Sequence, residues 1–141
     1  MLKRINLKIE SVIDNLDSGG LLDGDSERSV SEFVGSMRVS GDDVRITYKE
    51  KNDGNESETE IICSGGGVTV RRRGAIESEL YFKEGETHQS VYSVPPYKFD
   101  AEVKTRRVRI ELSETGGKID LFYNMKIGGA EKSARMRIWI S

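Results

Sequence analysis

Arg72 is the residue that most needs a chemical explanation. It sits in the run Val68-Thr69-Val70-Arg71-Arg72-Arg73, where a two-residue period turns Val68 and Val70 to one side of a strand and Arg71 and Arg73 to the other. The same beat carries Arg72 to the apolar side. A guanidinium does not lose its proton, so an inward one must find acceptors. One set of acceptors is the carboxylate or phosphate of a small bound molecule, gripped in bidentate fashion, with Tyr48, Tyr123 and Thr105 offering hydroxyls from the same inward phase. The other set is internal: backbone carbonyls at a strand end, or a buried glutamate. Strand phase alone leaves both open.

A second group of chemistry-bearing residues lies on an outward phase near the C-terminus. Arg107, Arg109, Arg135 and Arg137 share a side with Phe122 and Trp139. Basic residues interleaved with aromatics can stack bases and contact phosphates, and two aromatics on a strand face can equally form a homodimer or other protein contact. Asp120, Glu111 and Lys118 fall in the same field, which favours local charge pairing over nucleic acid. Asp14, Asp17, Asp23 and Asp25 lack the spacing of a calcium loop and its closing glutamate, so no metal is expected there. Gly65-Gly66-Gly67 joins strands and is followed by no Lys-Ser/Thr, so it is a turn and not a phosphate loop. Cys63 and His88, each the only one of its kind, have nothing in sequence to pair them, and no Gly-x-Ser-x-Gly elbow is present. A non-catalytic protein without a cofactor is the expectation.

The elements that must position these residues are strands. Ile5, Leu7 and Ile9 begin a beat that runs to Ile13, and Asp14 to Glu27 reads as a long acidic loop. Phe33 to Val39 and Val44 to Tyr48 flank a turn at Gly41-Asp42-Asp43, and Lys51 to Ser57 reads as another turn. Further strands fall at Glu58 to Cys63, Val68 to Arg72, Ile76 to Phe82, Gln89 to Val94 and Tyr97 to Thr105. Between Thr105 and Val108 the apolar beat passes from odd to even numbers without Gly or Pro, which calls for a bulge or a tight bend. In the hairpin that follows, setting Lys118 opposite Glu111 also sets Asp120 opposite Arg109 and Phe122 opposite Arg107. Ile119 then meets Ile110, and Leu121 meets Val108. Such pairs stabilise by about 0.2–1 kcal/mol each. Met136, Ile138 and Ile140 complete the inward set, and no window carries a helical apolar stripe.

About ten short strands with hairpin-length turns imply an antiparallel all-β fold whose sheet must curl into a barrel or split into a sandwich; the short turns and the lack of a long crossover favour an up-and-down β-barrel of about 8–10 strands with little helix. At 141 residues a single domain spanning 1–141 is the default. The 22 Lys and Arg against 24 Asp and Glu leave a net charge of −2, so no global field steers polyanions. A lone cysteine excludes an internal disulfide framework. The N-terminal ten residues lack a continuous apolar core, and no stretch approaches the roughly 18 apolar residues of a membrane span. A cytoplasmic protein is expected.

The run VTVRRRGAIESELYFKEG, then Tyr92, Thr105 and the Gly-x-Ile-x-Leu-x-Tyr of Gly117 to Tyr123 resembles the YwiB-like family of small bacterial proteins. Arg72-x-Gly74 and Phe82-x-x-Gly85 carry part of the likeness. Where the family tends to read x-Thr-Pro-Tyr-Gly after its tyrosine, Ser93-Val94-Pro95-Pro96-Tyr97 keeps a proline and loses the Thr and Gly. The resemblance implies a calycin-like (lipocalin-like) barrel with an internal cavity, of a kind that commonly binds small apolar or amphiphilic molecules. It implies no reaction.

Overall fold

Side chains that alternate between apolar and polar along most of the chain give strands with one dry face, and ten of them close on themselves. A computed structural model describes residues 2–16, 22–52 and 54–141. Among these the strands are β1 Leu2–Leu16, β2 Leu22–Ser40, β3 Asp43–Asn52, β4 Asn55–Ser64, β5 Gly67–Arg73, β6 Glu77–Phe82, β7 Thr87–Val94, β8 Tyr97–Ser113, β9 Gly116–Ile127 and β10 Ala130–Ile140. They form a closed antiparallel barrel in which every chain neighbour is also a sheet neighbour and β1 pairs with β10. The up-and-down barrel is therefore the fold, with no helix among the described residues.

The β8–β9 hairpin pairs in the register its charges dictate. Glu111 faces Lys118, Arg109 faces Asp120, Arg107 faces Phe122, and Ile110 and Val108 face Ile119 and Leu121. The phase change falls where the apolar beat requires it, as a register shift between Thr105 and Arg107. Arg106 is the extra residue, and both Arg106 and Arg107 are exposed. That bulge keeps Ala101, Val103 and Thr105 buried on one side of it and Val108 and Ile110 against the core on the other.

Two turns are shorter than the sequence pattern suggests. The stretch Asp14 to Glu27, expected as a loop, is mostly strand: Val12 pairs with Arg28, Ile13 with Glu27, Asp14 with Ser26 and Leu16 with Leu22. Residues 17–21 fall outside the described residues. The alternation that marks a half-buried strand is missing because residues 26–32 are exposed on both faces, and a ladder held by backbone hydrogen bonds alone needs no apolar beat. Likewise β3 runs on to Asn52 and β4 starts at Asn55, so the turn expected over Lys51 to Ser57 is a tight one.

The interior is filled at one end. Ile5, Met37, Ile46, Val68, Phe82, Ile119 and Ile138 are essentially inaccessible there. Above them the inward positions change character, from Ile46 and Ile61 to Tyr48 and Thr59, and from Val70 to Arg72.

Candidate functional site

β2 and β3 pair only from Gly35–Tyr48 to Ser40–Asp43. Beyond Gly35 they part, and at the parting point the ring of Phe33 stacks on Tyr48 with centroids 4.6 Å apart. A cavity of about 410 Å³ opens behind the stack, within the size range of small-molecule sites. Its floor is apolar, with Ile9, Ile61, Val70 and Ile138. Its rim is polar, with Ser29 and Ser31 from β2 facing Glu50, Asn55 and Ser57 of the β3–β4 hairpin.

Arg72 lines this cavity between floor and rim. Cross-strand pairing puts Thr59 beside it and Tyr48 one strand further. The Arg72 Nε is buried without a hydrogen-bond partner among the described residues, while the Tyr48 phenol lies within hydrogen-bonding reach of both the Thr59 hydroxyl and the Arg72 guanidinium. Burial pushes the Tyr48 phenol above its ordinary value, with the Thr59 hydroxyl and the Arg72 charge acting the other way. A buried donor left without an acceptor is costly.

Of the four residues whose inward phase suggested a cradle, Arg72 and Tyr48 meet at the cavity wall. Tyr123 and Thr105 stand elsewhere. Tyr123 is buried against Phe82, ring centroids 4.6 Å apart, its phenol pushed up to about 12 by burial while the Arg72 charge acts against the rise. Thr105 is buried beside it with an unpartnered hydroxyl among the described residues, and its backbone holds the turn at Gly85 and Glu86. Neither lines the cavity. The rim serines and Thr59 escaped sequence reasoning, although Ser29-x-Ser31-x-Phe33 has the two-residue spacing that would have placed them on one face.

The family model described as a domain of unknown function (DUF1934) matches residues 18–140. The chain belongs to that family. It is 26% identical over 128 residues to the uncharacterised β-barrel protein YwiB of Bacillus subtilis, covering 91% of this chain and 85% of that one. The crystal structure of the ywiB protein from Bacillus subtilis superposes with a TM-score of 0.86 at 26% identity, over 99% of this chain and 92% of the other. The DUF1934 match therefore accounts for the barrel and leaves its chemistry to the residues themselves.

On the outer face the DUF1934 chain ties its C-terminal arginines down locally. Arg135 donates from Nε and Nη2 to the two oxygens of Asp120, at 3.3 and 3.0 Å, and this holds the Asp120 carboxyl below its usual range. Arg137 reaches Glu10 at 4.0 Å. Trp139 lies between the ammonium groups of Lys8 and Lys118, 5.5 and 5.8 Å from its ring, and Arg106 covers Phe122 at 5.7 Å. Arg107 and Arg109 remain exposed.

The nucleophile candidates are apart. Cys63 is buried in the packed end, its thiol pushed up to about 11 by burial. His88 contacts Glu86 at 2.9 Å and the edge of Tyr81. No cluster of three or more metal-binding side chains occurs among the described residues. Asp17 lies outside the described residues, and only the backbone of Asp23 and Asp25 is described.

Proposed function

We propose that this protein is a cytoplasmic, calycin-like binding protein that holds a small amphiphilic or anionic molecule in its barrel, without catalysis. The observation that supports this most is the buried Nε of Arg72, without a hydrogen-bond partner among the described residues, at the wall of a cavity of about 410 Å³. A guanidinium so placed suits a carboxylate or phosphate head, and the apolar floor suits a short hydrocarbon or ring behind it. Tyr48 offers a second donor beside it.

Thermal unfolding in the presence of a panel of fatty acids and nucleotides, with native mass spectrometry of gently purified protein, tests this. A ligand at about 100 times its dissociation constant adds about 2.7 kcal/mol, a clear upward shift. Arg72→Met should abolish the shift while leaving the unliganded protein folded, because Arg72 is only half-buried and an apolar side chain of similar volume in place of an inward charge is commonly neutral or stabilising. No shift with any compound and no co-purified molecule would refute the proposal. The outer hairpin face gives a weaker case for nucleic acid, since Arg135 and Arg137 are already engaged by Asp120 and Glu10.

A further inference from the structure

Between Leu22 and Val34, β2 has β1 on one side and no strand on the other among the described residues, because its ladder with β3 begins only at Gly35. Alternate backbone N–H and C=O groups along that edge are available to a further strand. Free edges of this length are usually blunted by proline, lysine or a bulge in the strand. Ser26-Glu27-Arg28-Ser29-Val30-Ser31-Glu32-Phe33-Val34 has neither proline nor lysine, and its ladder with β1 is regular from Ser26 to Val34. Two apolar side chains on its outer face, Val30 and Val34, are 49% and 52% exposed.

The sequence of this edge is complementary to itself. In an antiparallel pairing of two copies about a twofold axis at Val30, Val30 meets Val30, Ser29 meets Ser31, and Arg28 meets Glu32 twice. The outer-face residues Arg28, Val30 and Glu32 then continue one another across the junction. Sliding by two residues in either direction sets Arg28 opposite Val30 or Val34 and removes both ion pairs. Arg28, at 68% side-chain exposure, has room to serve Glu32 of another copy while touching its own Glu10. We infer that the β2 edge pairs with the same edge of a second copy of this chain, making a dimer whose sheet is continuous across Val30. Ser29 and Ser31 line the cavity rim, so this contact borders the cavity without requiring that it be occupied.

Sedimentation equilibrium of the full chain across micromolar to sub-millimolar concentration tests this. The wild type should reach twice the 15.8 kDa of one chain. Arg28→Glu and Glu32→Arg, each alone, oppose like charges twice and should weaken association by about tenfold or more. An equimolar mixture of the two variants should dimerise again, because each then offers the other the opposite charge. Val30→Lys, at an exposed position on the axis, should be monomeric with an unchanged circular dichroism spectrum, and it serves if Arg28→Glu disturbs the Glu10 contact. A wild type that stays monomeric at the highest concentration overturns the proposal. So does association indifferent to all three substitutions, or a mixture that fails to recover.

Discussion

Arg72 and Asp120 show two fates for a charge on a barrel strand. Arg72 points inward and its Nε lacks a hydrogen-bond partner among the described residues, whereas Asp120, buried at 6% exposure, is matched on both oxygens by Arg135. The first arrangement costs stability and suits binding; the second contributes to stability in a pH-dependent way. Because the folded Asp120 carboxyl lies below its ordinary value, its contribution is complete above the unfolded pKa and disappears as pH falls through the folded one. Arg135 is 39% exposed, so solvent screening limits the pair to about 1 kcal/mol. Asp120→Asn should therefore lower the urea-derived unfolding free energy by about 1 kcal/mol at neutral pH. The gap to wild type should close as pH falls through the lowered folded pKa of Asp120, and a gap that persists once the carboxyl is protonated would mean that packing, not charge, is what the substitution removes.

At the scale of elements, Gly35 marks where β2 and β3 stop being partners. A Cβ built there comes within 2.5 Å of the Thr47 carbonyl oxygen and 3.1 Å of the Tyr48 Cβ, so the two backbones approach too closely for any side chain. Gly35→Ala should destabilise by about 1–3 kcal/mol, as overpacking does, measured as a shift in urea midpoint. Ser36→Ala next to it should stay within about 0.5 kcal/mol. Equal effects would remove the close approach as the reason for the glycine. This junction also shows what a sequence discloses. The β8–β9 register was legible because Glu111, Arg109 and Arg107 have complementary partners at matching spacing, and the bulge because the apolar parity changes at Arg106. The extension of β1 and β2 past Ile13 and Phe33 was not, because β1 is half-buried on both faces there and β2 is exposed on both over residues 26–32, so neither carries an alternation. Arg72 was legible as inward, but the parting of β2 from β3 that gives it a cavity depends on contacts between strands, which periodicity within one strand does not encode.

Taken whole, the barrel can be divided at two boundaries: β6–β7, which has fewer pairs than the five of β5–β6, and β2–β3, where β2 is left unpaired with β3 from Leu22 to Val34. β3 to β6 form one panel, and β7 to β10 with β1 and β2 form the other. The β2–β3 seam has six residue pairs, and the β6–β7 seam has two, Glu77–Ser93 and Ser78–Tyr92. By contrast, β9 is paired along almost its whole length on both sides. Arg72 belongs to the smaller panel and Ile9, Met136 and Ile138 to the larger, so a molecule in the cavity touches both. Local opening follows the weakest hydrogen-bonded boundaries. At concentrations low enough to keep the chain monomeric, amide hydrogen exchange should therefore be fastest in β2 before Gly35 and in Glu79 to Phe82 on the side facing β7, and slower by orders of magnitude in β9. A bound ligand that bridges the panels should slow exchange at both seams together, including the one that does not border the cavity mouth. Protection gained only by cavity-lining residues would show that the barrel opens as independent strands and not as two panels.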